Sequence, residues 1–156
     1  MGDTVMFGDM LILTMGWLGV YGALALGAIG SMIGCTIVGQ AACGALLEVE
    51  SGYGKFIGVS ALPSSQAIYG VVITLTLSGL AVTTESAPAI FAVGILSGIA
   101  LLYGAIKQGQ CIASAIKVSK NKPEVFGLSI APAGIVEGFA IFAFIFALII
   151  SANIPG

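Results

Sequence analysis

Residues 125–156 read VFGLSIAPAGIVEGFAIFAFIFALIISANIPG, an apolar stretch interrupted by a single charge, Glu137. A bilayer core is crossed by roughly 20 consecutive apolar helical residues, so this stretch is long enough to span a membrane. Three other charge-free runs precede it, at 10–47, 56–84 and 86–106. The reading is an all-α membrane protein with four transmembrane helices. The first run is too long for one perpendicular crossing, since 38 residues at about 1.5 Å each reach roughly 57 Å. Its helix must project beyond the lipid or bend.

Composition supports the same class. The chain is 58% hydrophobic and 8% charged, against about 25% charged in an average soluble protein. Its basic residues are five lysines, with no Arg and no His. That excludes a nucleic-acid footprint, a His-based metal site and a His-containing triad. Glycine is abundant, with 23 residues and no G-X-Y period, which in lipid signals close helix packing and not collagen. Cys35, Cys43 and Cys111 fall within spans without CxxC spacing and read as small apolar fillers.

The polar punctuation divides the chain into two hairpins, 10–47 with 56–82 and 87–118 with 125–152. Their turns are 48–55 and 119–124, and residues 86–88 join the hairpins. The domain division is therefore 1–84 and 85–156. Lys55, Lys117, Lys120 and Lys122 lie at the two turns, while Asp3, Asp9 and Glu85 mark the opposite side. The positive-inside rule then places both turns in the cytoplasm and both termini outside, in a multi-pass protein of the plasma membrane. The acidic N-terminal stretch does not resemble a cleavable signal peptide, and Met6 breaks the N-myristoylation pattern.

The hairpins are tandem duplicates. A shift of 70 residues aligns Gly34 with Gly104, Gly39 with Gly109 and Gln40 with Gln110. A shift of 71 sets Gln66 opposite Glu137, so the polar midpoint recurs but only one copy is ionisable. The copies run in the same direction, unlike an inverted transporter repeat. Small residues at Gly16, Gly19, Ala23, Gly27, Gly30 and Gly34 line one face of the first span, and Gly94, Gly98, Ala105 and Gly109 repeat the stripe on the third. Such stripes let backbones approach, either within one chain or in the inner wall of a ring of chains.

Glu137 lies 12 residues after Val125 and 15 before Ala152, near the middle of the bilayer. A bare charge there costs at least about 3 kcal/mol, so it must be protonated, paired or bound to a cation. The chain has no Arg, and Lys107 can snorkel toward the cytoplasmic surface. On the second span Leu62, Ser65, Gln66 and Tyr69 share a face at i, i+3, i+4 and i+7. Pro63 removes a donor, freeing the carbonyl of Val59 and loosening the backbone at Leu62. With Gln108 from the third span, the candidate oxygen set is the Leu62 carbonyl, the Ser65 hydroxyl, Gln66, Gln108 and the Glu137 carboxylate. Several oxygens and one negative charge suit a monovalent hard cation better than Ca²⁺ or Mg²⁺. The plainer role for Gln66 and Gln108 is interhelical hydrogen bonding.

With these residues in view, the sequence resembles the membrane-ring proteolipid (the K or c type) of V/A-type rotary ATPases. The resemblance covers essentially the whole chain: two fused hairpins, glycine-rich first and third spans, and one acid, Glu137, in the fourth. Its sharpest element is Leu62-Pro63-Ser64-Ser65-Gln66 with Tyr69-Gly70, similar to the sodium-binding branch; Gln108-Gly109 and Lys122-Pro123-Glu124 also match. The resemblance implies that Leu62, Ser65, Gln66, Gln108 and Glu137 coordinate Na⁺, with Tyr69 donating to Glu137. Ser65 stands where that branch usually has Thr, and Gln110 is the alternative ligand on the third span. H⁺ is the alternative cargo, although proton-driven relatives generally lack the full oxygen set.

The resemblance further implies a homo-oligomeric ring of identical subunits in membrane lipid. The ring turns past a stator subunit whose Arg displaces the ion, and central-stalk subunits dock at the cytoplasmic loops. Nucleotide chemistry belongs to partners. Gly54-Lys55 is followed by Phe56 and preceded five residues earlier by Val49, which breaks the phosphate-loop pattern. Two other classes compete: an independent proton-coupled antiporter using Glu137, and an inert structural ring.

Overall fold

A glycine-to-glycine seam sets the architecture. The computed structural model describes residues 2–155, with side chains from Met6 onward. Helix α1 runs unbroken over Gly2–Leu46, and α4 over Ala87–Asn121. These two form the most extensive helix pair in the chain. A Cβ added to Gly94 would collide with the carbonyl oxygen of Gly19, and one added to Gly109 would lie 2.6 Å from Gly34 O. The two glycine pairs are separated by the same number of residues on each helix, so α1 and α4 run parallel without slipping. Parallel repeats related by an even number of helices require this arrangement. The small-residue stripes therefore pack within one chain, largely against each other, with Gly27 and Gly34 also meeting residues 63–66 of the second span. In lipid, where no hydrophobic effect joins helices, this backbone approach supplies the van der Waals contact that holds them.

The outer helices complete the bundle. α2 covers Tyr53–Val59 and α3 covers Ser65–Ser78, separated by a 3₁₀ turn at Leu62–Ser64. α5, Phe126–Ser151, follows a second 3₁₀ turn at Pro123–Val125. α3 packs on α1, α5 packs on α4, and α3 and α5 touch each other. Four segments are long and apolar enough to cross a membrane: Met6–Leu46, Tyr53–Ser78, Ala87–Asn121 and Pro123–Ser151. At about 1.5 Å per residue, α1 reaches roughly 67 Å and projects well beyond a bilayer core.

The second span is broken where Pro63 predicts a disturbance. Around the break the backbone changes to i→i−3 pairing, with Ser60 N–H donating to Ile57 O at 3.1 Å and Ser64 N–H to Ala61 O at 3.0 Å. Proline has no N–H to give and its ring crowds the preceding turn, so α-helical pairing stops and restarts at Ser65. Gly34 leaves space for the Pro63 ring, since a Cβ there would lie 2.7 Å from Pro63 Cβ.

Both intra-hairpin turns lie at one end of the bundle. Lys120 Nζ meets Glu48 Oε1 at 2.7 Å across them. Lys55 Nζ sits 4.9 Å from the Phe56 ring centroid and 5.1 Å from that of Phe126, a cation held by two aromatic faces. Gly52, with φ 78°, makes the left-handed step that starts α2. At the other end Ser86 is fully buried and its Oγ donates to Ala81 O at 2.6 Å, tightening the link between hairpins. Two apolar clusters fill the interior. Phe56, Ile112 and Ile116 belong to the one toward the turns, and Ile73, Leu77, Ile90 and Leu101 to the other. A polar layer separates them.

Candidate functional site

That layer is built where α3, α4 and α5 converge. Glu137 projects from α5 and is half-buried, whereas Gln66 and Gln108 are buried. Its carboxylate accepts four hydrogen bonds. Tyr69 Oη donates to Oε1 at 2.6 Å. Gln66 Nε2 and Gln108 Nε2 each donate to Oε2 at 2.8 Å, and Ser65 Oγ lies 3.1 Å from the same oxygen. Gln66 Nε2 also donates to Gln108 Oε1 at 3.2 Å, so the two amides brace each other. An ionised carboxylate has about four acceptor sites, and the contacts are uneven, three on Oε2 and one on Oε1. Hydrogen bonds to a charged group contribute about 1.5–3 kcal/mol each, enough in sum to offset the cost of a carboxylate at this depth.

Ser65 carries the most informative contacts. Its Oγ lies 3.0 Å from Leu62 O, 3.2 Å from Gln66 Oε1 and 3.1 Å from Glu137 Oε2. A hydroxyl has one proton to donate, so two of these three oxygen–oxygen contacts contain no hydrogen. Leu62 O already accepts the Ser65 N–H and keeps one lone pair. Four oxygens are thus drawn together with fewer protons than close contacts. Leu62, Ser65 and Glu137 also border a cleft of about 360 Å³, lined in addition by Gln108, Ile130 and Gly134, among others.

All the residues read as candidates from sequence therefore meet: Leu62, Ser65, Gln66, Tyr69, Gln108 and Glu137. The alternative ligand Gln110 does not join them. It is exposed on another face of α4, where its Oε1 takes a long 3.4 Å contact from Lys107 Nζ. Among the described residues no group of three His, Cys, Asp or Glu side chains could hold a metal ion, so any cation here would rely on neutral oxygens and one acid.

Two supporting contacts escape the reading of the sequence. The Phe144 ring stacks on Tyr69 with centroids 5.0 Å apart and planes 22° from parallel. Its spacing of seven from Glu137, two helical turns, is the signal that could have found it. Ser31 of α1 accepts the Ala67 N–H on Oγ at 3.0 Å. A serine within a small-residue stripe reads as packing, so no pattern marks it.

The family of the ATP synthase C subunit matches this chain twice, at residues 18–77 and 91–150. The chain belongs to that family. In this member of it the first match runs from α1 into α3 and the second from α4 into α5, which makes the two hairpins tandem copies. The A-type ATP synthase subunit K of Methanocaldococcus jannaschii is 37% identical over 138 residues, covering 86% of this chain and 62% of that protein. The chain thus spans less than two thirds of the length of that relative. The V-type sodium ATPase subunit K of Enterococcus hirae is 29% identical over 142 residues, covering 84% of this chain and 86% of that one.

Proposed function

We propose that this chain is a rotor-ring subunit of a V/A-type ATPase or ATP synthase that carries Na⁺ on Glu137. The observation that carries the reading is the proton-poor oxygen cluster at Ser65. Ca²⁺, close to Na⁺ in size, holds its oxygens at about 2.3–2.6 Å, which sets neighbouring ligand oxygens roughly 3 Å apart. The spacing around Ser65 Oγ has that scale. Leu62 O, Ser65 Oγ, Gln66 Oε1 and Glu137 Oε2 would serve as ligands, and a half-turn of the Gln108 amide would take its Nε2 off Oε2 and add a fifth oxygen. A single carboxylate balances one positive charge. The relative named as a sodium ATPase subunit supports the same cargo.

In this reading identical copies close into a ring in membrane lipid. Residues 1–84 and 85–156 are its duplicated halves, of which only the second carries the ionisable group. The turns at 48–55 and 119–124 face the cytoplasm and meet the central stalk, while both termini lie outside in the plasma membrane. A stator subunit supplies an Arg that competes with Na⁺ for Glu137 as the ring turns. Moving one charge through 100 mV involves about 2.3 kcal/mol, so several ions combine per nucleotide turned over elsewhere in the complex.

A carbodiimide tests the reading. It should modify Glu137 in the purified protein, and Na⁺ should slow the reaction while an equal concentration of a quaternary ammonium salt does not. Ser65→Ala should raise the Na⁺ concentration needed for protection by roughly tenfold, the cost of one hydrogen bond or ligand to a charged centre, and leave assembly intact. Protection by the organic cation alone would favour an antiporter. Modification that is indifferent to Na⁺ would assign the seat to a proton.

A further inference from the structure

Ser31 stands on α1, which contributes none of the candidate ligands, and only 6% of it is exposed. Its Oγ accepts the N–H of Ala67 at 3.0 Å. Ala67 lies in the first turn of α3, where the break at Pro63 leaves backbone donors short of helical acceptors. Ordinarily the N-cap side chain satisfies such a donor. Here it does not, because Ser64 makes no cap bond and its Oγ turns back to Ala61 O at 2.7 Å. The Ser65 hydroxyl is committed to the oxygen cluster. The cap is therefore lent by another helix.

The surrounding α1 residues are shaped for the same task. Gly27 lies four residues before Ser31, and a Cβ there would sit 2.7 Å from Gln66 O. Gly34 lies three residues after it and admits the Pro63 ring. Positions 27, 31 and 34 thus fall on one face of α1 and form a bed for residues 63–67. The steric members of this bed admit the broken segment. Ser31 alone grips it through a hydrogen bond, and the bond falls on the residue that follows Ser65 and Gln66.

We infer that Ser31 is a positioning residue for the ion seat: by capping α3 from α1, it fixes the backbone that aims Ser65 and Gln66 at Glu137. The inference rests on the reading of Glu137 as a cation seat. Without the hydroxyl, the Ala67 N–H must find an acceptor closer to its own helix. Residues 65–67 then rotate, and two of the four groups on the carboxylate move with them.

The test measures carbodiimide modification of Glu137 in the assembled protein, with and without Na⁺. Ser31→Ala should raise the Na⁺ concentration giving half-protection by about tenfold, the scale expected when a buried donor loses its acceptor. In Na⁺-free buffer it should also speed modification several-fold, because Ser65 and Gln66, once displaced, no longer cover the carboxylate against the reagent. Ser31→Thr, which keeps the hydroxyl, should restore both. Ser31→Cys fills similar space with a weak acceptor and should behave as the alanine variant does, serving in its place if that variant does not assemble. Ser97→Ala is the matched control, since Ser97 is a buried serine on α4 whose hydroxyl bonds only within its own helix; it should change neither reading. If the unaltered protein shows no Na⁺ protection, the cation seat fails, and the role of Ser31 is then decided by the Na⁺-free rate. Wild-type rates in both the Ala and Cys variants, or an equal change in Ser97→Ala, would overturn the inference.

Discussion

Tyr69 holds one oxygen of Glu137 alone. Its Oη donates to Oε1 at 2.6 Å, whereas Ser65, Gln66 and Gln108 all converge on Oε2. The carboxylate is therefore divided between a side that faces the oxygen cluster and a side fastened by one phenol. Tyr69 and Glu137 belong to different halves of the duplicated chain, so this bond closes α3 against α5. Phe144, stacked on the phenol, keeps it in place.

Replacing Tyr69 with Phe should loosen this fastening without disturbing the stack. A hydrogen bond to a charged group is worth about 1.5–3 kcal/mol, so ²²Na⁺ should leave the loaded protein at least about tenfold faster. Phe144→Leu should act in the same direction and more weakly, because the hydroxyl remains but its ring is less constrained. Unchanged dissociation in Tyr69→Phe would mean that the phenol does not control release.

The two glutamines on α4 should separate cleanly. Gln108 is buried and bonded to Glu137, while Gln110 is exposed and its amide oxygen takes a long contact from Lys107 Nζ. Gln108→Ala should weaken Na⁺ binding by about tenfold or more through loss of a contact to the charged centre. Gln110→Ala should leave it within about twofold, as expected of a surface substitution. Isothermal titration of both variants with Na⁺ reads the difference directly.

Packing of the central helix pair can be tested at its glycines. Gly94→Ala places a methyl against the carbonyl of Gly19, with backbone on both sides and no flexible side chain to yield. Overpacking of this kind costs about 1–3 kcal/mol or more, so thermal unfolding in detergent should drop by several degrees, or assembly should fail. Gly138→Ala meets nothing within 4 Å and should be neutral or slightly stabilising, since alanine favours helix by roughly 1 kcal/mol over glycine. Equal behaviour of the two variants would contradict the seam.

The orientation proposed from the lysines is open to labelling. With Cys35, Cys43 and Cys111 replaced, single cysteines at Ser51 and Asn121 should react with an impermeant maleimide from the same face of sealed vesicles. A cysteine at Glu85 should react only from the opposite face. The Glu48–Lys120 bridge already brings the two turns to one end of the bundle, so reaction from opposite faces would contradict the hairpin arrangement.

Much of this was legible because the physical demands are severe. A carboxylate in lipid needs partners, and few polar side chains exist to supply them, so Leu62, Ser65, Gln66 and Tyr69 could be found by helical spacing on the second span around Pro63. Pro63 marked the helix break for the same reason. The choice between Gln108 and Gln110 was not legible. Two residues apart they point some 200° apart on a helix, and only the packed position of α4 decides which faces Glu137. Which partner the glycine stripes meet was hidden as well, since a stripe permits close approach without saying to what. The Ser31 cap was invisible because its acceptor role depends on a backbone N–H set free in another helix.

The most direct test of the central claim is equilibrium binding of ²²Na⁺ to the purified protein, counted per chain and repeated with Glu137→Gln. The expected result is one saturable Na⁺ for each chain, displaced by unlabelled Na⁺ and lost in Glu137→Gln. No saturable binding by the unaltered protein, or binding that survives the loss of Glu137, would contradict it.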